Sequence, residues 1–181
     1  MKIRSRFATL GALGMVAGSM LFSAAPAQAF GSLQVRYAIV DTSNCRGLEG
    51  SLSVVNQAAG CFLDDSADDT FFKKEAGGVA VKIELRDGSG LVAKAEFHPL
   101  GDELWVYDTR NDGDSIYVTL QWGDSLEGPV SPPGTGTEVE YTKEAHGWIP
   151  EGAAVTLRVY DNLDQYGTPY TQIGGNYTGR A

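Results

Sequence analysis

Apolar and polar residues alternate with period two in several separate stretches of the chain. Leu33, Val35, Tyr37 and Ile39 alternate through residues 33–40. Val79, Val81, Ile83 and Leu85 repeat the pattern, with Lys82 and Glu84 between them. Ala93, Ala95 and Phe97 alternate with Lys94 and Glu96. Leu104 and Val106 share one face, and Trp105 and Tyr107 the other. Ile116, Val118 and Leu120 alternate with Tyr117 and Thr119, and Val155, Leu157 and Val159 with Thr156, Arg158 and Tyr160. Period two is the signature of strands with one buried face, and no helical stripe competes with it. Between the runs lie turn residues. Asp87-Gly88 is a hairpin signal, and Pro99-Leu100-Gly101-Asp102 and Asn111-Asp112-Gly113-Asp114 turn the chain again. At Gly113 a positive φ is expected. Short strands at this spacing predict an all-β fold, a small antiparallel sandwich of about seven to nine strands.

Three stretches break the pattern. Residues 41–78 alternate weakly and hold Asp64, Asp65, Asp68 and Asp69, which read as a solvated loop before a metal cage. Residues 123–137 carry Pro129, Pro132, Pro133 and Gly134 and are expected to be an exposed loop. Residues 174–181 are expected to be frayed or extended.

The first 29 residues change the accounting. Lys2, Arg4 and Arg6 precede an uncharged run from Phe7 to Ala25, and Ala27-Gln28-Ala29 closes it. That order is a secretory signal peptide. Its removal takes three positive charges from a chain of net −9 and leaves net −12 on residues 30–181. A surface so acidic repels nucleic acid. No later apolar run reaches the roughly 18 residues that span a membrane. The expected organisation is a signal peptide (1–29), an N-terminal extension with a closed loop (30–78) and a β-sandwich (79–181). The expected compartment is extracellular. Cys45 and Cys61, an even pair in an exported chain, read as a disulfide, which is worth about 3 kcal/mol for a loop of that size.

Candidate chemistry is sparse. His98 and His146 lack zinc spacing, and there is no Gly-x-Ser-x-Gly nucleophile turn. Asp108-Thr109-Arg110-Asn111-Asp112-Gly113-Asp114 fails the EF-hand pattern, with Arg110 at position 3 and Thr119 at position 12, which leaves only an irregular calcium site open. No cofactor and no catalytic residue are expected. The aromatics suggest surfaces instead. Trp105, Trp122, Trp148, Tyr107, Tyr117, Tyr160, Tyr166 and Tyr170 could form a sugar platform. Trp105, Tyr107, Tyr117 and Tyr160 lie opposite the aliphatic side of their own strands. Either that second face binds something, or the 123–137 loop or the extension covers it. Phe30, Leu33, Val35, Tyr37 and Ile39 form an alternating segment that could add a strand to a partner or begin the chain's own sheet.

Gly101-Asp102-Glu103-Leu104-Trp105-Val106-Tyr107-Asp108, then Asn111-Asp112-Gly113, then Glu151-Gly152 before Val155-Thr156-Leu157-Arg158-Val159, resembles small secreted β-sandwich proteins of actinomycetes. The match spans roughly half of residues 30–181 and rests on strands and turns. Many relatives place cysteines where this chain has Tyr107 and Tyr160. With its added N-terminal segment the chain also resembles the adaptor subunits of the umbrella toxin particles of Streptomyces. That resemblance implies a small adaptor joining a lectin-like subunit to a large repeat-bearing toxin subunit, and it transfers no site residue. The expected function is non-enzymatic binding of other secreted proteins. A hydrolase inhibitor presenting the disulfide loop, or a carbohydrate- or calcium-binding module, is the alternative.

Overall fold

The computed structural model describes residues 32–110, 113–133 and 139–181. The signal-peptide expectation and Phe30 lie outside them. The described residues form strands and no helix: β1 (Gln34–Asp41), β2 (Arg46–Gly50), β3 (Val55–Asn56), β4 (Gly60–Leu63), β5 (Thr70–Lys73), β6 (Val79–Asp87), β7 (Gly90–His98), β8 (Glu103–Asp108), β9 (Tyr117–Trp122), β10 (Ser125–Val130), β11 (Glu140–Ala145), β12 (Ala154–Leu163) and β13 (Pro169–Arg180). The fold is all-β and antiparallel, consistent with a small β-sandwich as the alternation requires, and residues 79–181 hold eight strands, β6 to β13, within the seven to nine expected.

The main sheet runs β10-β9-β12-β13-β6-β7-β8-β11. β1 pairs with β6 along its length, from Gln34↔Arg86 to Asp41↔Val79, and β2 takes the other edge of β1. A single bridge, Arg180↔Val79, joins β13 to β6. Gly179 permits that approach, because a Cβ there would run into the Val79 carbonyl oxygen. The sheet thus folds over almost as a barrel. The apolar residues of β6, β7 and β8 (Val81, Ile83, Ala95, Phe97, Leu104, Val106) face those of β9 and β12 (Val118, Leu120, Leu157, Val159) in one core. The expected Asp87-Gly88 hairpin is present: Asp87 pairs with Gly90, and Asp87 Oδ1 accepts the N–H groups of Ser89 and Gly90. Gly113 has the expected positive φ, 84°.

Two irregular stretches are strand. Residues 125–130, expected as loop, form the edge strand β10 on β9. The register breaks between Glu127 and Val130, where Gly128 has φ 103° and Pro129 lacks an N–H. Residues 134–137 of that expected loop lie outside the described residues. The tail expected to be frayed or extended is extended, as the second half of β13, the longest strand. Leu157 pairs with Tyr177 and Val159 with Ile173, so residues 174–176 bulge opposite Arg158.

Residues 41–78 make a second layer. β3, β4 and β5 form a separate three-stranded sheet, and Cys45 and Cys61 are bonded with Cα atoms 5.0 Å apart. Ala38, Val40, Cys45, Cys61, Leu63, Phe72 and Ala80 form a small core between this layer and β1 and β6.

Candidate functional site

The face of β6, β7 and β8 turned away from the main core is set by register. Lys82 stands opposite Glu96, Glu96 opposite Trp105, and Trp105 opposite Lys143 of β11. In the next row Glu84 stands opposite Lys94, Lys94 opposite Tyr107, and Tyr107 opposite Tyr141. Lys and Glu therefore form a two-by-two checkerboard of directly opposed unlike charges, with aromatics on its β8 side.

This checkerboard is dry. Lys82 and Lys94 are fully buried, and Glu84 and Glu96 nearly so. The residue that makes burial tolerable is Asp65, in the segment between β4 and β5. Its Oδ2 accepts from Lys82 Nζ at 2.7 Å and from Lys94 Nζ at 2.9 Å. Its Oδ1 accepts the backbone N–H groups of Ala67 (2.8 Å), Asp68 (3.2 Å) and Asp69 (3.2 Å). Lys94 also contacts Glu96 at 3.0 Å, donates to Asp68 and to the Asp69 carbonyl, and sits 4.3 Å from the Tyr107 ring centroid. Thr70 donates to Glu96, and His98 Nε2 lies 2.9 Å from Glu96 Oε2. Burial alone would push the Asp65 carboxyl up. The hydrogen bonds from Lys82 and Lys94 overcome it and hold the carboxyl well below the usual range. Burial likewise opposes the Lys94 charge, and Glu96, Asp68 and Asp65 together raise its pKa. Asp65 was expected in a solvated acidic loop. It is instead the buried anion that pins the second layer to the sheet.

Beyond the edge of the second layer the face opens. His98, Trp105, Tyr107 and Tyr141 stack, with centroids 5.0 Å apart for His98–Trp105, 6.0 Å for Trp105–Tyr141 and 5.4 Å for Tyr107–Tyr141. Lys143 Nζ lies 4.8 Å from the Trp105 centroid and 2.7 Å from Glu103 Oε1, and Trp105 Nε1 donates to Glu103 Oε2 at 3.0 Å. Burial raises the Glu103 pKa, but Lys143 and Trp105 bring it below the usual carboxylate range. A cleft of about 270 Å³ lies here, between Phe71, Lys73, Leu100, Glu103, Trp105 and Lys143. β11 ends the strand path beside it. Phe71 (39 %), Leu100 (45 %) and Tyr141 (57 %) are exposed around it.

The residues singled out from the sequence fall in different places. Trp105 is half-buried in the stack, and Tyr107 is buried under Lys94 and Tyr141. Tyr117 also faces away from the core, but β12, β13, β6 and β7 separate its strand from β8. The expected Trp105–Tyr107–Tyr117 surface is therefore not one surface. Tyr117 pairs with Tyr160 instead. Trp122 and Trp148 gather around His146, and both His146 ring nitrogens are buried without a hydrogen-bond partner among the described residues. Leu33, Val35 and Tyr37 pack on the main core, with Tyr37 4.9 Å from Tyr177, and Ile39 is buried. β6 pairs with β1 along one edge and β2 covers Ala38–Asp41 on the other, so β1 begins the chain's own sheet. Tyr141 and Lys143 were not anticipated, because β11 carries too few apolar residues to announce a strand. Among the described residues no group of three or more His, Cys, Asp or Glu is placed to hold a metal ion, and no helix is long and apolar enough to cross a membrane. Comparison with family models, with curated proteins and with solved structures finds no match to this chain.

Proposed function

We propose that the chain is an exported, non-enzymatic module that binds another protein and serves as an adaptor between subunits of an extracellular assembly. The observation that carries this is the Trp105 cleft beside the terminal strand β11. Trp105 is fixed by His98, Tyr141, Lys143 and Glu103, so a partner that covers it costs little side-chain freedom. Exposed Phe71, Leu100 and Tyr141 supply apolar area, and Lys73, Glu103 and Lys143 a charged rim. An aromatic centre inside a polar rim is the anatomy of protein interfaces. An edge strand beside it offers backbone groups to an added strand. The resemblance to umbrella toxin adaptors points the same way, with a lectin-like subunit and a large repeat-bearing toxin subunit as the partners. The signal-like residues 1–29 and the Cys45–Cys61 bond support export.

The test is titration of the full chain against those two classes of subunit. Tyr141→Ala is expected to weaken one of the two contacts about thirtyfold, the value of a typical aromatic anchor of about 2 kcal/mol. Tyr141 is more than half exposed, so the fold should be unaffected. Undiminished affinity in this variant would remove the cleft from the interface. Retention on polysaccharide that is lost in Trp105→Ala would replace the reading with a carbohydrate module. Inhibition of a hydrolase that is lost on reducing Cys45–Cys61 would replace it with an inhibitor.

A further inference from the structure

We propose that Asp65 and Lys82 close to an intramolecular amide, an isopeptide bond that ties the second layer covalently to β6. Three features of the buried cluster point to acyl chemistry rather than to a charge pair alone.

The first is the electrophile. Asp65 Oδ1 is cradled by the N–H groups of Ala67, Asp68 and Asp69 at 2.8, 3.2 and 3.2 Å. Aimed at one carboxyl oxygen, these donors form the arrangement that stabilises the oxyanion of a tetrahedral intermediate. The second is the nucleophile. Lys82 Nζ lies 2.7 Å from Asp65 Oδ2, and both side chains have 0 % exposure. The contact holds the amine beside the carboxyl group with bulk water excluded. Lys94 Nζ reaches the same oxygen at 2.9 Å, but its three donors are engaged by Asp65, Asp68 and the Asp69 carbonyl, so it stays an ammonium. Among the described residues Lys82 Nζ has only Asp65 and Glu84. The third is the base. Glu84 Oε1 is 3.3 Å from Lys82 Nζ, and it is buried without a hydrogen-bond partner among the described residues. A carboxylate oxygen left open beside an amine is where a proton can be held during transfer.

The reaction balances without a co-reactant. The reactive form is the minority one in which a proton has passed from the Lys82 ammonium to Asp65 Oδ2, against the hydrogen bonds that favour the carboxylate, so that the ion pair becomes amine and acid. Nζ attacks Cγ, the Cγ–Nζ bond forms, and the negative charge collects on Oδ1 in its cradle. Glu84 takes a second proton from Nζ and returns it to Oδ2. The Cγ–Oδ2 bond breaks, and Oδ2 leaves as water. Nothing is oxidised or reduced. Lys94 remains hydrogen-bonded to the departing oxygen. The product replaces two buried charges with one neutral amide, which removes their desolvation cost.

The test is the intact mass of the folded, disulfide-bonded protein, followed by peptide mapping. The mass is expected to fall one water below that of the same disulfide-bonded chain without the amide, with a branched peptide joining Asp65 to Lys82. Lys82→Arg should restore the full mass, and Glu84→Gln should slow formation about a hundredfold, the usual value of a general base. Full mass in the wild-type protein overturns the proposal, and that measurement needs no variant to fold. So does a water loss confined to a linear Asp65-Ser66 peptide and retained in Lys82→Arg, which is the mark of a succinimide. A branch that maps to Lys94 overturns the assignment of the nucleophile.

Discussion

The two faces of β6, β7 and β8 are made by the same residues in alternation, yet they hold by opposite chemistry. On the inner face Val81, Ile83, Ala95, Phe97, Leu104 and Val106 pack into the main core, where any apolar side chain of the right volume would serve. On the outer face Lys82, Glu84, Lys94 and Glu96 are as deeply buried, but each needs particular partners. A buried ion that loses its partner keeps its desolvation cost and loses its attraction, so this face is less forgiving. The inner face sets how strongly the sheet folds over itself. The outer face sets where residues 60–73 must lie on it.

Removing the central cation should break the contrast most sharply. Lys94→Met keeps most of the volume but leaves Asp68 and Glu96 without the cation between them. It is expected to cost about 3–5 kcal/mol in chemical denaturation. The matching change on the other side of the same sheet, Ile83→Val, is expected to cost about 0.5–1.5 kcal/mol. If the two losses were equal, the outer face would be ordinary packing. Asp102 sharpens the comparison from a third direction, as a buried carboxylate with no cation paired to it among the described residues. Burial first, and then Glu151, raises its pKa to about 6. The folded state therefore holds its proton more tightly than the unfolded chain does. Stability falls as pH rises from about 4 to about 6, and the penalty is full above that. Asp102→Asn tolerates the same positive φ of 49°. It should stabilise the protein by about 1 kcal/mol at pH 8 and by nothing at pH 4, read from thermal midpoints at the two pH values. A gain that persists at pH 4 would mean that charge is not the cause.

Which side of this contrast could be read in the sequence follows from its physics. The inner face is periodic, and burial of a periodic apolar stripe needs no knowledge of what lies opposite. All six alternating runs became strands. The outer face was recognisable as requiring a cover or a ligand, because Trp105 and Tyr107 are too apolar to be left to water. The cover itself was not recognisable. Asp65 is one of four aspartates in six residues, and nothing local separates it from Asp64, which is exposed. Only the three-dimensional approach of β4 and β5 to Lys82 and Lys94 selects it. β10 was not legible, and β13 only half so, for a simpler reason: Gly128-Pro129 and Gly174-Gly175 are breakers in sequence and bulges in the sheet. The cleft was half legible, since Trp105 stood out while Tyr141 and Lys143 lie on a polar edge strand. Separating Tyr117 from Trp105 required the strand order, which period two does not encode.

The bridge between Arg180 and Val79 also has a meaning in time. Val79 is paired to Asp41 as well, so one residue receives both an early strand and the last one. A chain made from its N-terminus delivers β1, β6, β7 and β8 first, and these can pair as they emerge. Their apolar side then waits for β9, β12 and β13. Until the final strand arrives, a half-built sheet presents a greasy surface to whatever is nearby, the condition under which nascent chains stick to one another. Maturation is thus a late closure rather than a gradual one, and the molecule depends on being shielded, or kept unfolded, until its last strand is available.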